Sequence, residues 1–310
     1  MTAMTARRAL KQGFAISDVP GAKTVIQHIK DSSDFARVCT EVEPLPPLAP
    51  LLRFRMRKPL VAALSAAVTQ AIDTHGLHGW LSSEGRTTDG YLSLSLTHNP
   101  DLSDPGVTDV HQSTLGTSVN RQSEFYYGST GRFHGLKNTY FDTYAFRVPT
   151  PAARVGALGE FLSQCRLSLV RSRLSVLYGG TQDLVPFETG WHRDEPVFEN
   201  LRINIPLETV STYKLQIEHE SDAPSKDSKT MSTHHLAAGS AYTFDTHRPH
   251  RVFAAARSTV RRVHLVLGFS PWLRYDSRNG VWEPNEFFGR VHPFDIVRSG
   301  GLHPALRSPG

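Results

Sequence analysis

Cysteine is scarce in this chain of 310 residues: only Cys39 and Cys165 occur, far apart in the sequence. A disulfide framework or a cysteine-based zinc site needs more cysteines at closer spacing, so neither is indicated. Apolar stretches of the roughly 20 residues needed to span a membrane are also lacking, and no apolar signal core follows residues 1–8. We therefore expect a cytoplasmic protein that does not act at a membrane.

The sequence also lacks a basic patch. The net charge is +5, from 34 basic and 29 acidic residues, and 39% of the residues are hydrophobic, which is enough for the core of one large domain. The densest basic group, residues 53–58, directly precedes the apolar run 59–68, as at the solvated start of a helix. No basic run has interleaved aromatic residues, so we expect no nucleic-acid partner.

Short segments with strand-like patterns recur in the second half of the chain. They alternate apolar and polar residues or form brief apolar runs, and glycine and proline separate them. Many short strands at such intervals are typical of a sandwich or barrel. The sequence therefore predicts a mainly β fold with flanking helices, with strands at residues 173–178, 201–207, 214–219, 241–245 and 261–269.

The same patterns divide the chain into four regions of one compact unit. Residues 1–92 are predicted to be an accessory region, partly irregular and partly a helix that ends near Gly76. Residues 93–139, rich in small polar residues, are predicted to be a long loop or lid. Residues 140–275 hold the β core. The aromatic-rich extension, residues 276–310, should pack on the barrel or on a second subunit, so a homodimer is one expectation.

His192 and Asp194 are two residues apart, and His250 follows 58 residues after His192. In an extended chain, residues i and i+2 point to the same side. Two histidines and one carboxylate on one face of an ion leave positions for a co-substrate and oxygen, as non-haem Fe(II) requires. A single HxD pattern is common, and His192 capping a loop is the plain alternative. His247 is a second candidate ligand, but Pro249 restricts the chain there and His250 leads into the next strand.

Arg262 lies twelve residues after His250, at the start of a predicted strand. Its guanidinium is suited to a forked pair with the distal carboxylate of a two-acid co-substrate. Arg261 would point to the other face, so one of the two arginines enters the barrel. If Arg262 points inward, so does His264. Ser175 is placed to hydrogen-bond a carboxylate; a solvated arginine and a core serine are the plain alternatives.

Taken together, these pieces resemble the aspartyl/asparaginyl β-hydroxylase family of Fe(II)- and 2-oxoglutarate-dependent oxygenases. The resemblance covers roughly the middle third of the chain and includes the bacterial branch that hydroxylates free amino acids. The pieces that carry it, in order, are Leu174–Val176, Gly190–Asp194, Leu201–Leu207, His250–Val252 and Arg262–Leu267.

The resemblance implies a double-stranded β-helix, the jelly-roll core of cupin-like proteins. It also implies that His192, Asp194 and His250 hold Fe(II). In such a family Arg262 binds the far carboxylate of 2-oxoglutarate, and Ser175 lines the same pocket.

Two departures from the family pattern concern this pocket. Animal members lack the carboxylate ligand that Asp194 supplies, which places the chain closer to the bacterial small-molecule hydroxylases. The family commonly has a histidine where this chain has Asn204, two residues beyond Arg202. The resemblance implies that Arg202 lines the co-substrate or substrate pocket. Asn204, in place of that histidine, and His264, if Arg262 points inward, are the other predicted co-substrate contacts.

The implied reaction uses O2 and 2-oxoglutarate to hydroxylate a substrate, and it releases succinate and CO2. We expect a polar small molecule, either amino-acid-like or a sugar acid, because Arg193 and Arg202 lie near the metal motif. Trp191, Arg193 and Glu195 are the predicted substrate contacts. A peptide or carrier-bound substrate, a metal-binding cupin without oxygenase activity, and a non-enzymatic interaction module are the alternatives.

Overall fold

The computed structural model describes residues 37–38, 51–81, 87–98, 144, 146–178, 188–219, 230–256 and 258–306. Cys39, the proline-rich stretch 43–50 and residues 99–139 of the predicted loop lie outside the described residues. None of the helices in the described ranges is both long enough and apolar enough to cross a membrane.

Short strands dominate the described part of the chain, with three α-helices and one 3-10 helix among them. The helices are α1 (Lys58–His75), α2 (Gly156–Ser163) and α3 (Pro293–Arg298), and the 3-10 turn is Pro151–Arg154. The strands are β1 (Leu52–Arg55), β2 (His78–Leu81), β3 (Thr87–Ser95), β4 (Thr97–His98), β5 (Val148–Pro149), β6 (Ser168–Leu177), β7 (Leu201–Glu208), β8 (Tyr213–His219), β9 (Thr230–His234), β10 (Ser240–Thr243), β11 (His250–Ala254), β12 (Arg262–Ser270), β13 (Leu273–Asp276) and β14 (Val281–Pro284).

Two antiparallel sheets form the core. The major sheet has the order β1-β10-β7-β12-β6-β3-β2, and the minor sheet has the order β11-β8-β9. Residues 188–192 extend the minor sheet beyond β11 through isolated bridges to Phe253 and His250. From β6 onward the chain visits the sheets in the order major, minor, major, minor, minor, major, minor, major. This alternation is the topology of a double-stranded β-helix, so the predicted fold class is confirmed.

The major sheet has an apolar outer face. Ile203 and Ile205 on β7, and Val263, Leu265 and Leu267 on β12, are buried in the main hydrophobic cluster. The buried faces of α1 and α2 belong to the same cluster, so these helices cover the sheet from outside. The residues that alternate with this apolar set therefore point toward the minor sheet, and they include Arg202, Asn204 and Arg262.

The N-terminal region is more closely built into the core than the sequence predicts. Helix α1 ends at His75 and is followed by Gly76, as expected. However, β1, β2 and β3 belong to the major sheet and do not form a separate accessory layer. Residues 93–95 belong to β3 and residues 97–98 to β4, whereas the sequence predicts a loop there. Ser93 and Ser95 pair with β6 and are buried, and their polar side chains made this strand resemble a loop in the sequence.

The C-terminal region packs on its own chain. β13 and β14 form a hairpin, and Trp282, Phe288 and Phe294 are buried in the main hydrophobic cluster. The sequence predicts that this region packs on the barrel or on a second subunit. In the described residues it packs on the barrel.

At Gly268, β12 lies too close to β6 to leave room for a side chain. An added Cβ would lie 2.2 Å from the carbonyl oxygen of Val170 and 2.7 Å from Oδ1 of Asn200. We expect Gly268→Ala to lower the free energy of unfolding by about 3 kcal/mol, because two paired strands must separate. Gly239→Ala is the control: it adds the same methyl group in open space at a φ of +85°, which costs about 1 kcal/mol. Urea unfolding of both variants measures the difference, and equal losses would contradict this account of Gly268.

Candidate metal centre

Backbone pairing brings the two distant halves of the predicted metal motif together. The N–H of His192 donates to the carbonyl of His250 at 3.0 Å, and the N–H of His250 donates to the carbonyl of His192 at 2.9 Å. Asp194 donates its N–H to the carbonyl of Thr246 at 2.9 Å. As a result, the ligand atoms of His192, Asp194 and His250 lie within 4.8 Å of one another. His247, the other candidate ligand, is not part of this group and is exposed.

Both imidazoles present the nitrogen that a metal ion needs. Nδ1 of His192 lies 3.0 Å from the carbonyl of Gly190, and Nδ1 of His250 lies 2.9 Å from the carbonyl of Arg248. A carbonyl only accepts hydrogen bonds, so each Nδ1 carries a proton, and Nε2 is the ring nitrogen left to bind a metal ion. Gly190 has a φ of +69°, which favours glycine at the turn that supplies this carbonyl. Burial lowers the pKa of His192, which keeps its imidazole neutral.

The carboxylate of Asp194 is held in its charged form. Nη1 of Arg202 donates to its Oδ2, and Nε2 of His250 lies 3.5 Å from the same oxygen. Burial alone would raise the pKa of Asp194, but the charge of Arg202 and the hydrogen bond and charge of His250 outweigh it. The pKa of Asp194 is therefore well below its usual range. Two imidazoles and one carboxylate fit a divalent ion such as Fe(II).

A recess between the two sheets contains this group. Several of the residues predicted to bind the co-substrate line it with the three candidate ligands. Sequence reasoning missed Arg173, although it has the same strand parity as Ser175 and so points to the same face. The lining includes Arg173, Ser175, Arg202, Asn204 and Arg262 from the major sheet, and Leu215 and Val252 from the minor sheet.

Arg262 is a buried cation in the wall of the recess. Its side chain hydrogen-bonds to the ring of His264, with Nε of Arg262 3.0 Å from Nε2. Burial and the nearby Arg262 hold the pKa of His264 well below its usual range, so this partner is neutral. Burial also lowers the pKa of Arg262, to about 10, which leaves it charged at neutral pH. Among the residues that the structure describes, Arg262 makes no ion pair with a carboxylate.

The neighbouring arginine has a different environment. Nε of Arg261 donates to Oε2 of Glu208 at 3.0 Å, and both side chains are partly exposed. Of these two neighbouring arginines, Arg262 is thus the one whose side chain lines the recess. His264 lies behind Arg262 and does not line the recess itself.

The three predicted substrate contacts do not line the recess. Trp191 is 42% exposed, and the guanidinium carbon of Arg251 lies 5.0 Å from its ring centroid. Arg193 is exposed and donates from Nη1 to the carbonyl of His247 at 2.9 Å. Both alternate with His192 along an extended segment, so they face away from the recess. Glu195 is 2% exposed and ion-paired with arginines, so it lies inside the protein but outside the recess.

No family model matches the chain, and no curated protein matches it in sequence. Among solved structures, the chain is similar to SnoN, a non-haem α-ketoglutarate-dependent epimerase from nogalamycin biosynthesis. The identity is 11%, the match covers 84% of this chain and 90% of that chain, and the TM-score is 0.40.

The chain is also similar to AviO1 from Streptomyces viridochromogenes Tue57, at 14% identity over 72% of this chain and 90% of that chain, with a TM-score of 0.36. A third similar structure is a prolyl hydroxylase from Trichoplax adhaerens, at 8% identity over 87% of this chain and 94% of that chain, with a TM-score of 0.34. For this chain, the double-stranded β-helix rests on its own strand order and register.

Proposed function

We propose that the protein is an Fe(II)- and 2-oxoglutarate-dependent dioxygenase that hydroxylates a polar small molecule and releases succinate and CO2. One observation carries the proposal: the three-ligand group and a buried cation without a carboxylate partner among the described residues line the same recess. A metal-binding protein without a keto-acid co-substrate has no use for that cation. The aspartyl/asparaginyl β-hydroxylase family stays our prediction for its closest functional relatives.

Arg262 supports the co-substrate assignment on energetic grounds. Removing a charged group from water is costly unless it gains a partner of opposite charge. A carboxylate that enters the recess provides that partner and accepts hydrogen bonds from the guanidinium. Ser175, on the neighbouring strand β6, lines the same recess and has a hydroxyl to donate. These two side chains together suit the distal carboxylate of a dicarboxylic keto acid.

Iron with 2-oxoglutarate and O2 supplies the oxidising power for the reaction when bound. The residues of the chain bind, orient and exclude water. The imidazoles of His192 and His250 have ring orientations fixed by hydrogen bonds from Nδ1 to backbone carbonyls. Leu215 and Val252 give the opposite wall of the recess an apolar surface that limits access of water to the reacting centre.

A polar, acidic small molecule is the substrate class that we propose. Arg173 supports this choice because it is buried on β6 and lines the recess two residues before Ser175. A guanidinium in the wall favours a substrate that carries a carboxylate, as amino acids and sugar acids do. Trp191 and Arg193 are exposed and lie outside the recess, so we do not propose them as substrate contacts.

The overall reaction gives the first test. We expect the purified protein to form succinate from 2-oxoglutarate only when Fe(II) and O2 are present, because the proposed reaction requires all three. Amino acids and sugar acids should raise the rate when one of them is a substrate. Mass spectrometry of the same reactions detects a product heavier by one oxygen atom. Protein that binds Fe(II) but neither binds nor consumes 2-oxoglutarate would favour a cupin without oxygenase activity.

Histidine variants test the metal ligands. We expect His250→Ala to weaken Mn(II) binding by about 100-fold or more, since it removes one of three protein ligands. His247→Ala is the matched control: this histidine lies three residues away but outside the ligand group, so Mn(II) binding should change by less than about threefold. Titration of the metal-free proteins with Mn(II), followed by electron paramagnetic resonance, gives both affinities. The reverse order of effects would assign the ligand to His247.

Neighbouring arginines test the co-substrate site. We expect Arg262→Gln to weaken 2-oxoglutarate binding by about 100-fold, or about 2.7 kcal/mol, because a forked charged pair is lost. Arg261→Gln removes the same charge at the next position, where it pairs with Glu208 at the surface, and should change affinity less than about twofold. Calorimetry with the Mn(II)-loaded proteins under nitrogen measures both. Equal affinities for the two variants would exclude Arg262 from the co-substrate site.

A further inference from the structure

Behind the candidate ligand Asp194 lies a chain of buried ion pairs. Arg202 donates from Nη1 to Asp194 Oδ2 and from Nη2 to Glu195 Oε2, the latter at 2.6 Å. The other carboxylate oxygen of Glu195 accepts from Nη1 of Arg171. Four charged side chains thus alternate in sign, and Arg202, Glu195 and Arg171 are each less than 10% exposed.

The forked shape of the guanidinium makes this arrangement specific. Arg202 uses one nitrogen for each of two adjacent carboxylates, which a lysine ammonium cannot reproduce with the same geometry. Glu195 in turn has both oxygens bound to arginines, so its carboxylate has a fixed orientation. A restraint on Asp194 is therefore passed through two further side chains to the strand β6.

Backbone features anchor both ends of the chain of ion pairs. Arg171 has a φ of 45°, a left-handed conformation that is uncommon for a residue with a side chain. Its N–H donates to the carbonyl of Phe146 at 2.8 Å. At the other end, the hydroxyl of Thr246 donates to the carbonyl of Glu195 at 2.9 Å, and the carbonyl of Thr246 accepts from the N–H of Asp194.

We propose that Arg202, Glu195 and Arg171 are positioning residues that hold the carboxylate of Asp194 for the metal ion; this inference rests on the proposed function. The hydrogen bond from Arg202 restrains rotation of the carboxylate, so that it does not take up a second coordination position needed by the co-substrate or O2. Glu195 offsets the charge of Arg202, which would otherwise repel a divalent cation. Arg202 acts through Asp194 and is not a co-substrate contact.

Arg202→Lys separates geometry from charge. This variant keeps the positive charge but loses the fork, so we expect Mn(II) binding to weaken by about 10-fold. The visible absorption spectrum of the Co(II)-loaded protein should also change, because the coordination of the ion depends on the orientation of Asp194. Arg261→Lys is the matched control, since it makes the same exchange in a surface ion pair; its affinity and spectrum should equal those of the wild type.

Glu195→Gln tests the same system from the second carboxylate. We expect a 10- to 100-fold loss of Mn(II) affinity, roughly the range for residues that orient metal ligands. Glu188→Gln is the control: it removes a carboxylate from the same segment, at an exposed ion pair with Arg251. Circular dichroism of the metal-free proteins identifies variants that do not fold, and either Arg202→Lys or Glu195→Gln suffices for the test.

The outcomes separate this inference from the proposed function. If the folded variants bind Mn(II) within twofold of the wild type and give the same Co(II) spectrum, the positioning role is overturned. If the wild-type protein itself binds no Mn(II), the proposed metal centre fails instead. A loss of affinity in both control variants would show a general effect of removing surface ion pairs and would also overturn the inference.

Discussion

The candidate site depends on the pairing of two short backbone segments. His192 and His250 exchange two backbone hydrogen bonds. The N–H of Thr189 donates to the carbonyl of Val252 at 2.9 Å, and the N–H of Val252 donates to the side-chain hydroxyl of Thr189 at 2.9 Å. Side chains on a strand alternate between faces, so a slip of one residue would turn one imidazole out of the recess. The register of this pair therefore decides whether a metal centre exists, while the ion itself is not needed to explain the pairing.

The two faces of the major sheet differ in what they contribute: the outer face stabilises the fold, and the inner face carries residues of the candidate site. Its outer face buries apolar residues such as Val263 and Leu265 against α1 and α2, where each large side chain contributes roughly 1.5–3 kcal/mol. The inner face carries Arg202 and Arg262, whose burial opposes folding. Because the apolar face supplies the stability, the interior can hold charges that a small barrel without covering helices would not tolerate. Helices α1 and α2 thus stabilise the sheet that carries the site, although neither of them contributes a residue to the recess.

Much of this arrangement follows from strand alternation, and the sequence therefore predicted it. The spacing of His192 and Asp194 placed both on one side, and the alternating strand patterns indicated the β core. The same rule, applied to Trp191 and Arg193, places them outside the recess, whereas their proximity to His192 in the sequence suggests a contact with the substrate. Their position was predictable from the information that located His192.

Other features depend on contacts between strands and have no signal in a single sequence. Glu195 alternates with Asp194 as Arg193 does, but it is buried because it meets arginines from β6 and β7, and only the assembled sheet brings those residues together. The choice between Arg261 and Arg262 likewise depends on the register of β12 against β6. Alternation shows that one of two neighbours points inward, but not which one. The register between strands that are distant in sequence decides which of the candidate residues come together in one site.

The charged groups in and next to the recess affect one another through its net charge. Asp194 and Glu195 offset the charge of Arg202, whereas Arg262 and a divalent ion would leave the recess strongly positive. Under the proposed function, a dicarboxylic keto acid would neutralise both at once, with one end at the ion and the other at Arg262. Binding of the ion and binding of the acid would then strengthen each other by the same factor. Among the described residues Arg262 has no carboxylate partner, and this is why we propose a two-acid partner for the recess and not a metal ion alone.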